Sequence, residues 1–334
     1  MRGQLELRRS HNLDVARSAS AIAVVWLHVA SEVLVADPSV TSLNWWIGNA
    51  ADSLSRWCVP VFVMLSGALL IPKARTQTPL AFVRSRLPRI VLLTVVWTGI
   101  YAVLALQTDS ESLYLRKVLR GVPYYHLWYM YMLIGLYAAA PFIQRLLDAL
   151  DFSSQWAFVA ASFLLSGLSE AHAVFYPTPA LFPTRFLEFV GYVAAGNLLA
   201  THSLPFSSRT LLTAMVLFGS TIALLTGALL PSLGPRSWGV MYGYQNPFVV
   251  MMSISIFSYF LKTDKWSRLA SLAPLSLGIY LIHPAVLLAT KRVGIDGFSF
   301  GPAMGIPLTT FVVVVASAAC AWAMKRVPVV RALC

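Results

Sequence analysis

Arg17 and His28 are the residues whose types and spacing most directly indicate chemistry. Both lie in the apolar stretch LDVARSASAIAVVWLHVASEVLV, residues 13 to 35, which is long enough to span a bilayer as a helix. An ionisable side chain at membrane depth costs roughly 2.5–3.5 kcal/mol on insertion scales, so such residues usually have a function. Imidazole exchanges protons near neutral pH, and guanidinium matches phosphate oxygens. The pair therefore predicts a general base and an anion-binding group on one helix.

Helical geometry places these two side chains on the same face. Eleven residues correspond to three turns plus about 20°, and to about 16 Å along the axis. Asp14 lies one turn from Arg17, at a distance that allows an ion pair and so reduces the cost of burying both charges. Asp14 is about 21 Å from His28 along the helix, too far to orient it as in a Ser-His-Asp triad. We expect this polar face to look into protein or water.

The composition indicates the class of fold that positions these residues. Of 334 residues, 58% are hydrophobic and 11% charged, and the mean hydropathy is +0.71, which excludes an ordinary soluble domain. Only helices or closed barrels satisfy backbone polar groups in lipid, and these apolar runs lack the alternation of barrel strands. The first run is too long for a signal peptide and carries Arg17 and His28, so we expect it to be retained as a helix. The sequence predicts an all-α integral membrane protein.

Other function classes are disfavoured by how the charged and sulfur-containing residues are distributed. The net charge is +12, but the basic residues fall in short loops between apolar runs, so we expect no nucleic-acid partner. The three cysteines lie at no metal-ligand spacing, and we expect neither a metal site nor a disulfide framework; they are Cys58, Cys320 and Cys334. Membrane lipids are expected partners, and a homo-oligomer is compatible with the sequence.

Apolar runs between charged or Pro/Gly-rich breaks predict about ten transmembrane helices. Loops and tails on one side carry sixteen basic residues, against six on the other, so the positive-inside rule predicts both termini in the cytoplasm. No internal repeat or appended soluble domain is evident, and we expect one domain over residues 1–334 with tails 1–12 and 325–334. The ten predicted spans are residues 13–35, 50–71, 87–106, 126–145, 154–169, 180–201, 209–230, 241–261, 270–290 and 303–324.

The polar residues of the spans sort into two groups by predicted depth. Near the cytoplasmic side, Asp14 and Arg17 are joined by three arginines at the start of the third span, and we expect these groups to meet an anion from the cytoplasm; the arginines are Arg84, Arg86 and Arg89. At more external depths, we expect a second group to surround one outward-facing cavity: His28, Arg56, His126, Arg185, Glu188 and His283. The two groups predict a cosubstrate on one side and an acceptor on the other.

Several phrases of the chain, in order, resemble the acyltransferase-3 family of bacterial membrane O-acyltransferases. They are the LD that precedes the Arg17-to-His28 spacing, VPVFVMLSGALL, FVRSRLPRI, HLWYMYMLIGLYAAAPFI, GYVAAGNLL and GIYLIHP. The resemblance runs from about residue 11 to the end of the tenth span. It implies a protein of the bacterial inner membrane that uses cytoplasmic acetyl-CoA, or a related acyl-CoA, to acylate a hydroxyl of a surface polysaccharide or lipid-linked oligosaccharide.

The resemblance also implies roles for particular residues. Within the family, the histidine that matches His28 and the arginine that matches Arg17 are held to be essential. The same holds for the arginine pair that matches Arg86 and Arg89. Some members carry an additional periplasmic SGNH hydrolase-like domain, whereas this chain resembles the short form that modifies polysaccharide repeat units. The donor would be acetyl-CoA as a cosubstrate, with no metal.

Transfer of an acyl group from a thioester to a sugar hydroxyl needs a base, and we predict His28 for that role. Direct attack by the hydroxyl is the first hypothesis, and an acetyl-histidine intermediate is the second. Glu188 is the available carboxylate partner for His28. CoA phosphates are expected to bind Arg17 and the arginines of the third span, and an extended pantetheine arm has roughly the length of the 16 Å separation. For the acceptor we expect contacts with His126, Trp128, Tyr129, Arg185, His283 and Arg56.

Each of these roles has a simpler structural alternative. Arg17 can serve only to pair with Asp14, and Glu188 and Arg185 can neutralise each other. The arginines of the third span can be ordinary positive-inside residues, and Trp128 and Tyr129 can belong to an interfacial aromatic belt. His283 precedes a proline and can satisfy the carbonyl that this proline frees.

Two functions from other classes remain open at the level of sequence. A secondary transporter or flippase of a lipid-linked sugar or small anion would also bury charges along a path, although no related halves are evident. A non-catalytic scaffold for envelope assembly would leave carbohydrate acylation unchanged when His28 is replaced.

Overall fold

The computed structural model describes residues 2–107, 109–176, 182–263 and 265–333, without the side chains of residues 2–9 and 182. Residues 1 and 334 of the predicted tails, and residues 180 and 181 of the predicted sixth span, lie outside this part of the chain.

None of the described residues lies in a β-strand, which confirms the all-α prediction. The helices are α1 (Arg2–Ala36), α2 (Leu43–Ser53), α3 (Cys58–Ala74), α4 (Pro79–Ala105), α5 (Glu111–Leu119), α6 (Trp128–Ala149), α7 (Phe152–Phe175), a 3₁₀ helix (Phe182–Phe189), α8 (Val190–Thr201), α9 (Ser208–Leu233), α10 (Arg236–Met241), α11 (Pro247–Lys262), a 3₁₀ helix (Ser267–Leu275), α12 (Ser276–Arg292), α13 (Pro302–Arg326) and a short 3₁₀ turn (Arg331–Leu333).

Eight described segments are long and apolar enough to cross a membrane: Ser10–Ala36, Leu43–Ala74, Pro79–Ala105, Trp128–Ala149, Phe152–Phe175, Ser208–Leu233, Ser267–Arg292 and Pro302–Arg326. Each overlaps one of the ten predicted spans. The other two predicted spans correspond to shorter helices, α8 with 12 residues and α11 with 16. The chain is therefore a multi-pass helical membrane protein, and the count of ten and the side of the termini stay predictions.

The second predicted span differs from the uninterrupted helix expected over residues 50–71. Helix α2 ends at Ser53, and α3 begins at Cys58 after a turn. Pro60 lies in the first turn of α3, where its missing N–H needs no helical partner. In a continuous helix the same proline would clash with the carbonyl one turn earlier, so the break places it where it is tolerated. The turn contains Arg56, which is thereby held at a helix junction.

The chain divides into two compact units, the first formed by residues up to 65 together with 202–332, and the second by residues 66–201 with Leu333. The prediction of one domain over residues 1–334 stays a prediction. In the first unit, buried aliphatic side chains of α1, α12 and α13 form a common core: Val25, Val29 and Val33, Ile279 and Leu287, and Ile306 and Val313. Burial of a whole aliphatic side chain contributes roughly 1.5–3 kcal/mol. This core fixes α1 against α12, the two helices that carry the histidines.

Polar contacts at one end of the first unit show which helix ends lie together. The Asn12 side-chain amide donates a hydrogen bond of 3.0 Å to the carbonyl of Leu261, near the end of α11. The Lys325 ammonium, near the end of α13, donates to the carbonyl of Pro274, just before α12. Asp14 and Arg17 follow Asn12 within two turns of α1, so they lie toward the end of the unit that also holds the end of α11.

In the second unit, helices approach closely at glycines within the family-like phrases. A Cβ atom on Gly67 of α3 would lie 2.0 Å from the Val193 carbonyl oxygen of α8, and one on Gly135 of α6 would lie 2.4 Å from the Phe186 ring. A small buried cluster joins α3, α4 and α6: Leu70, Ala74, Phe82 and Ala140. Glycine at positions 67 and 135 is required because any side chain there would collide with a neighbour.

Candidate active site

The side chains of His28 and His283 lie against each other in the first unit. Their ring centroids are 5.2 Å apart and the ring planes differ by 18°, a stacked arrangement. His28 lies on α1 between the core residues Val25 and Val29, and His283 lies on α12 between Ile279 and Leu287. The hydrophobic core that joins the two helices therefore also fixes the distance between the imidazoles.

His283 owes its orientation to the proline that follows it. Pro284 has no N–H, so the carbonyl of Tyr280, four residues earlier, lacks its usual helical donor. The Nδ1 atom of His283 is 2.7 Å from that carbonyl oxygen and 3.2 Å from the carbonyl oxygen of Ile279. A carbonyl can only accept, so Nδ1 carries the proton and Nε2 keeps its lone pair. The simpler structural role predicted for His283 is thus observed, and it also fixes the tautomer.

Arg56 is held beside the histidine pair by a carboxylate. Its Nε donates to Asp52 Oδ1 at 2.5 Å, and Nη2 forms an ion pair with the same oxygen. The other carboxylate oxygen, Oδ2, accepts a hydrogen bond of 2.7 Å from the Ser31 hydroxyl. Ser31 lies one turn after His28 on α1, and His28 interacts electrostatically with both His283 and Arg56. The structure therefore brings three predicted site residues into one cluster in the first unit.

A second layer of polar contacts packs around the arginine. The Arg56 guanidinium lies over the Tyr242 ring at 4.2 Å from its centroid. The Tyr242 phenol donates to Asn49 Oδ1 at 2.5 Å, and the Asn49 amide donates to the Ala223 carbonyl at 2.9 Å. Asn49 lies on α2, the helix that also carries Asp52, whereas Tyr242 lies just after α10 and Ala223 on α9. Two further segments therefore help to fix the guanidinium plane.

Two ion pairs flank the histidine along α1. Arg17 Nη1 is 2.8 Å from Asp14 Oδ1, which confirms the predicted pair, and both side chains remain about one-third exposed. One turn beyond His28, in the opposite direction, Glu32 Oε1 is 2.6 Å from Lys291 Nζ of α12. Arg17 stays about 16 Å from His28 along the helix axis, so the structure does not bring these two side chains into contact.

The arginines predicted to bind the cosubstrate lie on α4, in the second unit. Arg84 and Arg89 are exposed and Arg86 is half-buried. The Arg86 guanidinium packs over the Phe82 ring at 5.3 Å, and its buried Nε has no hydrogen-bond partner among the residues that the structure describes. In helical geometry Arg86 and Arg89 are about 60° apart around α4, whereas Arg84 is about 160° away from Arg86. Arg86 and Arg89 therefore share a face that Arg84 does not.

The remaining acceptor candidates form two aromatic groups in the second unit. The Arg185 guanidinium lies 5.6 Å from the Trp128 ring centroid, and Trp128 also contacts Tyr129 edge to face at 6.3 Å. Glu188 interacts electrostatically with Arg185, and mutual neutralisation of the two charges stays a prediction. His126 is buried and contacts the Tyr101 ring edge to face at 4.8 Å. A contact between Glu188 and His28, and a cavity common to all acceptor candidates, stay predictions.

Sequence reasoning missed Asp52 and Ser31. Asp52 is fully buried and lies four residues before Arg56, so its spacing to an arginine inside an apolar run was the available signal. Ser31 carried no such signal, because a serine in a membrane helix usually bonds its own backbone, as this one also does to Leu27 at 2.7 Å.

Comparison with known proteins assigns the chain to a protein family. The model of the acyltransferase-3 family, described as an acyltransferase domain, matches residues 10–325. No curated protein and no solved structure matches the chain in the corresponding comparisons. The fold and the site define a multi-pass helical membrane protein with a stacked pair of histidines, of which His283 is buried and His28 partly exposed. The chain belongs to the acyltransferase-3 family, and its expected activity is that of a membrane acyltransferase.

Proposed function

We propose that this protein transfers an acyl group, with acetyl-CoA as the donor, to a hydroxyl of a surface polysaccharide or lipid-linked oligosaccharide. The observation that carries the proposal is the stacked pair of His28 and His283 beside the guanidinium of Arg56. Acyl transfer needs a base at the hydroxyl and positive charge near the reacting carbonyl, and this cluster contains both types of group.

In the proposed reaction, a lone pair on His28 accepts the proton of the acceptor hydroxyl as its oxygen attacks the thioester carbonyl. A carbon–oxygen bond forms, and the tetrahedral intermediate collapses with cleavage of the carbon–sulfur bond. The electron pair of that bond leaves on the CoA sulfur, which takes the proton from His28. The atoms and charges balance without a metal or a redox partner. The alternative through acetyl-histidine would instead form a bond between the acyl carbon and His28 in a first step.

His283 supports the base in this proposal. Because its Nδ1 is bound by the Tyr280 carbonyl, the ring cannot rotate freely, and its face presses against the face of His28. A base must keep its lone pair aimed at the hydroxyl within a few tenths of an ångström to be effective. We assign His283 the role of positioning His28. We also propose that His283 contacts the acceptor.

The donor is proposed to enter from the cytoplasm and to bind through arginines. Arg17 lies about 16 Å along α1 from His28, in the direction away from the proposed acceptor side. Its pairing with Asp14 leaves the side chain about one-third exposed. Helix α4 supplies further cations for phosphate oxygens, with Arg86 and Arg89 on one face and Arg84 on another. Asp14 would hold Arg17 until a phosphate replaces it.

Acceptor binding is proposed for aromatic and charged groups that suit a sugar. The stacked pair of Trp128 and Arg185 offers a flat apolar surface beside hydrogen-bond donors, with Tyr129, His126 and Glu188 in the same unit. The remaining parts of the proposal follow from the sequence: a bacterial inner membrane protein with about ten spans, both termini in the cytoplasm, and one domain over residues 1–334.

The test uses the full-length protein purified and reconstituted in lipid vesicles. Acetyl-CoA and a lipid-linked or soluble oligosaccharide are added, release of the CoA thiol is followed, and mass spectrometry is used to detect an added acetyl group on the sugar. We expect thiol release that depends on the acceptor and an acetylated product. Movement of the sugar across the vesicle membrane without thiol release would instead support a transporter or flippase.

A further inference from the structure

We propose that Arg56 stabilises the oxyanion that develops on the acyl carbonyl during transfer, and that Asp52 and Ser31 are positioning residues that hold its guanidinium for this purpose. The inference rests on the proposed function, since it names the group that meets the carbonyl oxygen next to His28. It changes the role expected for Arg56 from contact with the acceptor to contact with the reacting acyl group.

The first argument is the hydrogen-bonding capacity that Arg56 keeps. Asp52 Oδ1 accepts a hydrogen bond from Nε–H and forms an ion pair with Nη2, which occupies at most one further N–H. Arginine has five N–H donors, so at least three remain, and no residue within the described part of the chain accepts a hydrogen bond from them. The side chain is 14% exposed, so a small part of it is accessible in an otherwise enclosed position. A largely enclosed cation that keeps free N–H donors suits an oxyanion.

The second argument is the location of Arg56 relative to the proposed base. The Trp26 indole donates to the Ala51 carbonyl at 3.1 Å, and the Ser31 hydroxyl donates to Asp52 at 2.7 Å. Trp26 and Ser31 lie two residues before and three residues after His28, so the segment that carries Arg56 is bound to α1 on both sides of the histidine. In a reactive complex the attacking hydroxyl oxygen and the carbonyl carbon are about 3–3.5 Å apart. The carbonyl oxygen would then lie between the base and the guanidinium.

The third argument is rigidity. A charge stabilises a transition state most when it is already oriented and needs no reorganisation during the reaction. Asp52 is fully buried, and its two oxygens are used separately, one for Arg56 and one for Ser31. The Tyr242 ring covers the guanidinium at 4.2 Å, and the Tyr242 phenol is bound in turn by Asn49. These contacts fix the plane of the guanidinium before any substrate binds.

In this step Arg56 keeps its protons throughout. As the hydroxyl oxygen attacks, the carbonyl π electrons move to oxygen, and Arg56 donates hydrogen bonds to the resulting oxyanion. When the carbonyl re-forms, the carbon–sulfur bond breaks and the CoA thiolate leaves. Loss of one oxyanion donor typically lowers kcat by about 10²–10³.

The test compares three variants of the full-length protein in lipid vesicles: Arg56→Gln, Asp52→Asn and the double variant. We expect Arg56→Gln to lower kcat about 10²–10³-fold with little change in either KM. The double variant replaces an ion pair by two neutral polar groups and leaves no unpaired buried charge, so we expect it to recover the thermal stability lost by either single change but not the turnover. Arg268→Gln, an exposed arginine in the same unit, is the matched control and should retain activity.

Chemical rescue and a conservative substitution separate catalysis from folding. Guanidinium ion added to Arg56→Ala should restore part of kcat, whereas the same ion should not restore His28→Ala. Ser31→Ala should lower kcat, and Ser31→Thr, which keeps the hydroxyl, should recover it. These two comparisons remain decisive if Arg56→Gln proves too unstable to assay.

Recovery of full turnover in the Asp52→Asn/Arg56→Gln double variant would overturn the inference and leave Arg56 with a structural role. A rise in the acceptor KM at unchanged kcat would return Arg56 to acceptor binding and also overturn it. In both cases His28→Ala would still be inactive, and the proposed function would stand. Absence of acyl transfer by the wild-type protein would instead refute the proposed function itself.

Discussion

The imidazole of His28 on α1 is stacked on the imidazole of His283 on α12, with 5.2 Å between ring centroids. If both rings were protonated, two unit charges would face each other at this distance, a repulsion of about 3 kcal/mol at an effective dielectric constant of about 20. The repulsion therefore favours states in which at most one of the two rings is cationic, which suits a base that accepts a proton and returns it within one turnover. The proline after His283 makes the arrangement possible because it frees the carbonyl that binds Nδ1.

Replacement of Pro284 by alanine should separate stability from activity. The new N–H can bond to the Tyr280 carbonyl and so compete with His283 Nδ1 for that acceptor. We expect thermal stability in detergent to be unchanged or higher. We expect kcat to fall about 2- to 10-fold, because loss of one hydrogen bond worth about 0.5–1.5 kcal/mol corresponds to a change of that size. Pro307→Ala in α13 gains a helical N–H without a histidine beside it and should keep full activity. Equal activity of Pro284→Ala and wild type would show that this tether is unimportant.

Arg17 and Asp14 should respond differently to neutralisation. Arg17→Gln removes a donor to a CoA phosphate, so we expect the KM for acetyl-CoA to rise about 10- to 100-fold. Asp14→Asn removes only the partner of a partly exposed ion pair, and stability should change by no more than about 1 kcal/mol. Steady-state kinetics and thermal unfolding of both variants provide the measurement. If both substitutions reduce stability equally and leave the acetyl-CoA KM unchanged, Arg17 serves only the ion pair.

The arginines of α4 can be distinguished by the face on which they lie. Arg86→Gln and Arg89→Gln should each raise the KM for acetyl-CoA about 10- to 100-fold if they bind phosphate. Arg84→Gln, on a different face, should have a smaller effect, and Arg145→Gln in the same unit is an exposed control. Titration of acetyl-CoA at saturating acceptor supplies the KM values. Uniformly small effects would assign all three arginines to the positive-inside pattern alone.

Gly67 tests the helix contact within the second unit. A methyl group there would lie 2.0 Å from the Val193 carbonyl oxygen, and because that atom is backbone, α3 and α8 must move apart. We expect Gly67→Ala to lower stability by about 1–3 kcal/mol. Gly99→Ala in α4 has open space around the new Cβ and should be neutral or stabilising by about 0.5–1 kcal/mol. A Gly67→Ala protein that unfolds at the wild-type temperature would contradict the observed approach of the two helices.

Several parts of the fold follow from the sequence because their physical signals are local. The all-α architecture and the overlap of eight segments with predicted spans follow from long apolar runs. The Asp14–Arg17 pair follows from a three-residue spacing on a helix. The break between Ser53 and Cys58 was not predicted. Hydrophobicity continues across it, and Pro60 is compatible both with a kinked helix and with the first turn of a new one, so the apolar pattern alone does not locate the break.

The sequence predicts which residues belong to the candidate site better than it predicts how they are arranged in space. His28, His283 and Arg56 were selected because they are ionisable groups within apolar runs, yet their proximity depends on α1, α2 and α12 packing together over long sequence separations. The binding of Asp52 to Ser31 depends on the same packing, and a serine in a helix gives no signal of a partner on another helix. The tautomer of His283 depends on a carbonyl left free by a proline, a consequence that the HP dipeptide suggests only once the helix is known.

The most direct test of His28 as the general base is the rate of acetyl transfer by His28→Ala in reconstituted vesicles. The control is Ser20→Ala, which alters a buried polar residue of α1 that lies outside the proposed catalytic cluster. With both proteins folded as judged by thermal unfolding, we predict that His28→Ala loses about 10²–10⁴-fold in kcat, the usual contribution of a general base, while Ser20→Ala retains wild-type turnover. A folded His28→Ala protein that acetylates the acceptor at the wild-type rate would contradict this role.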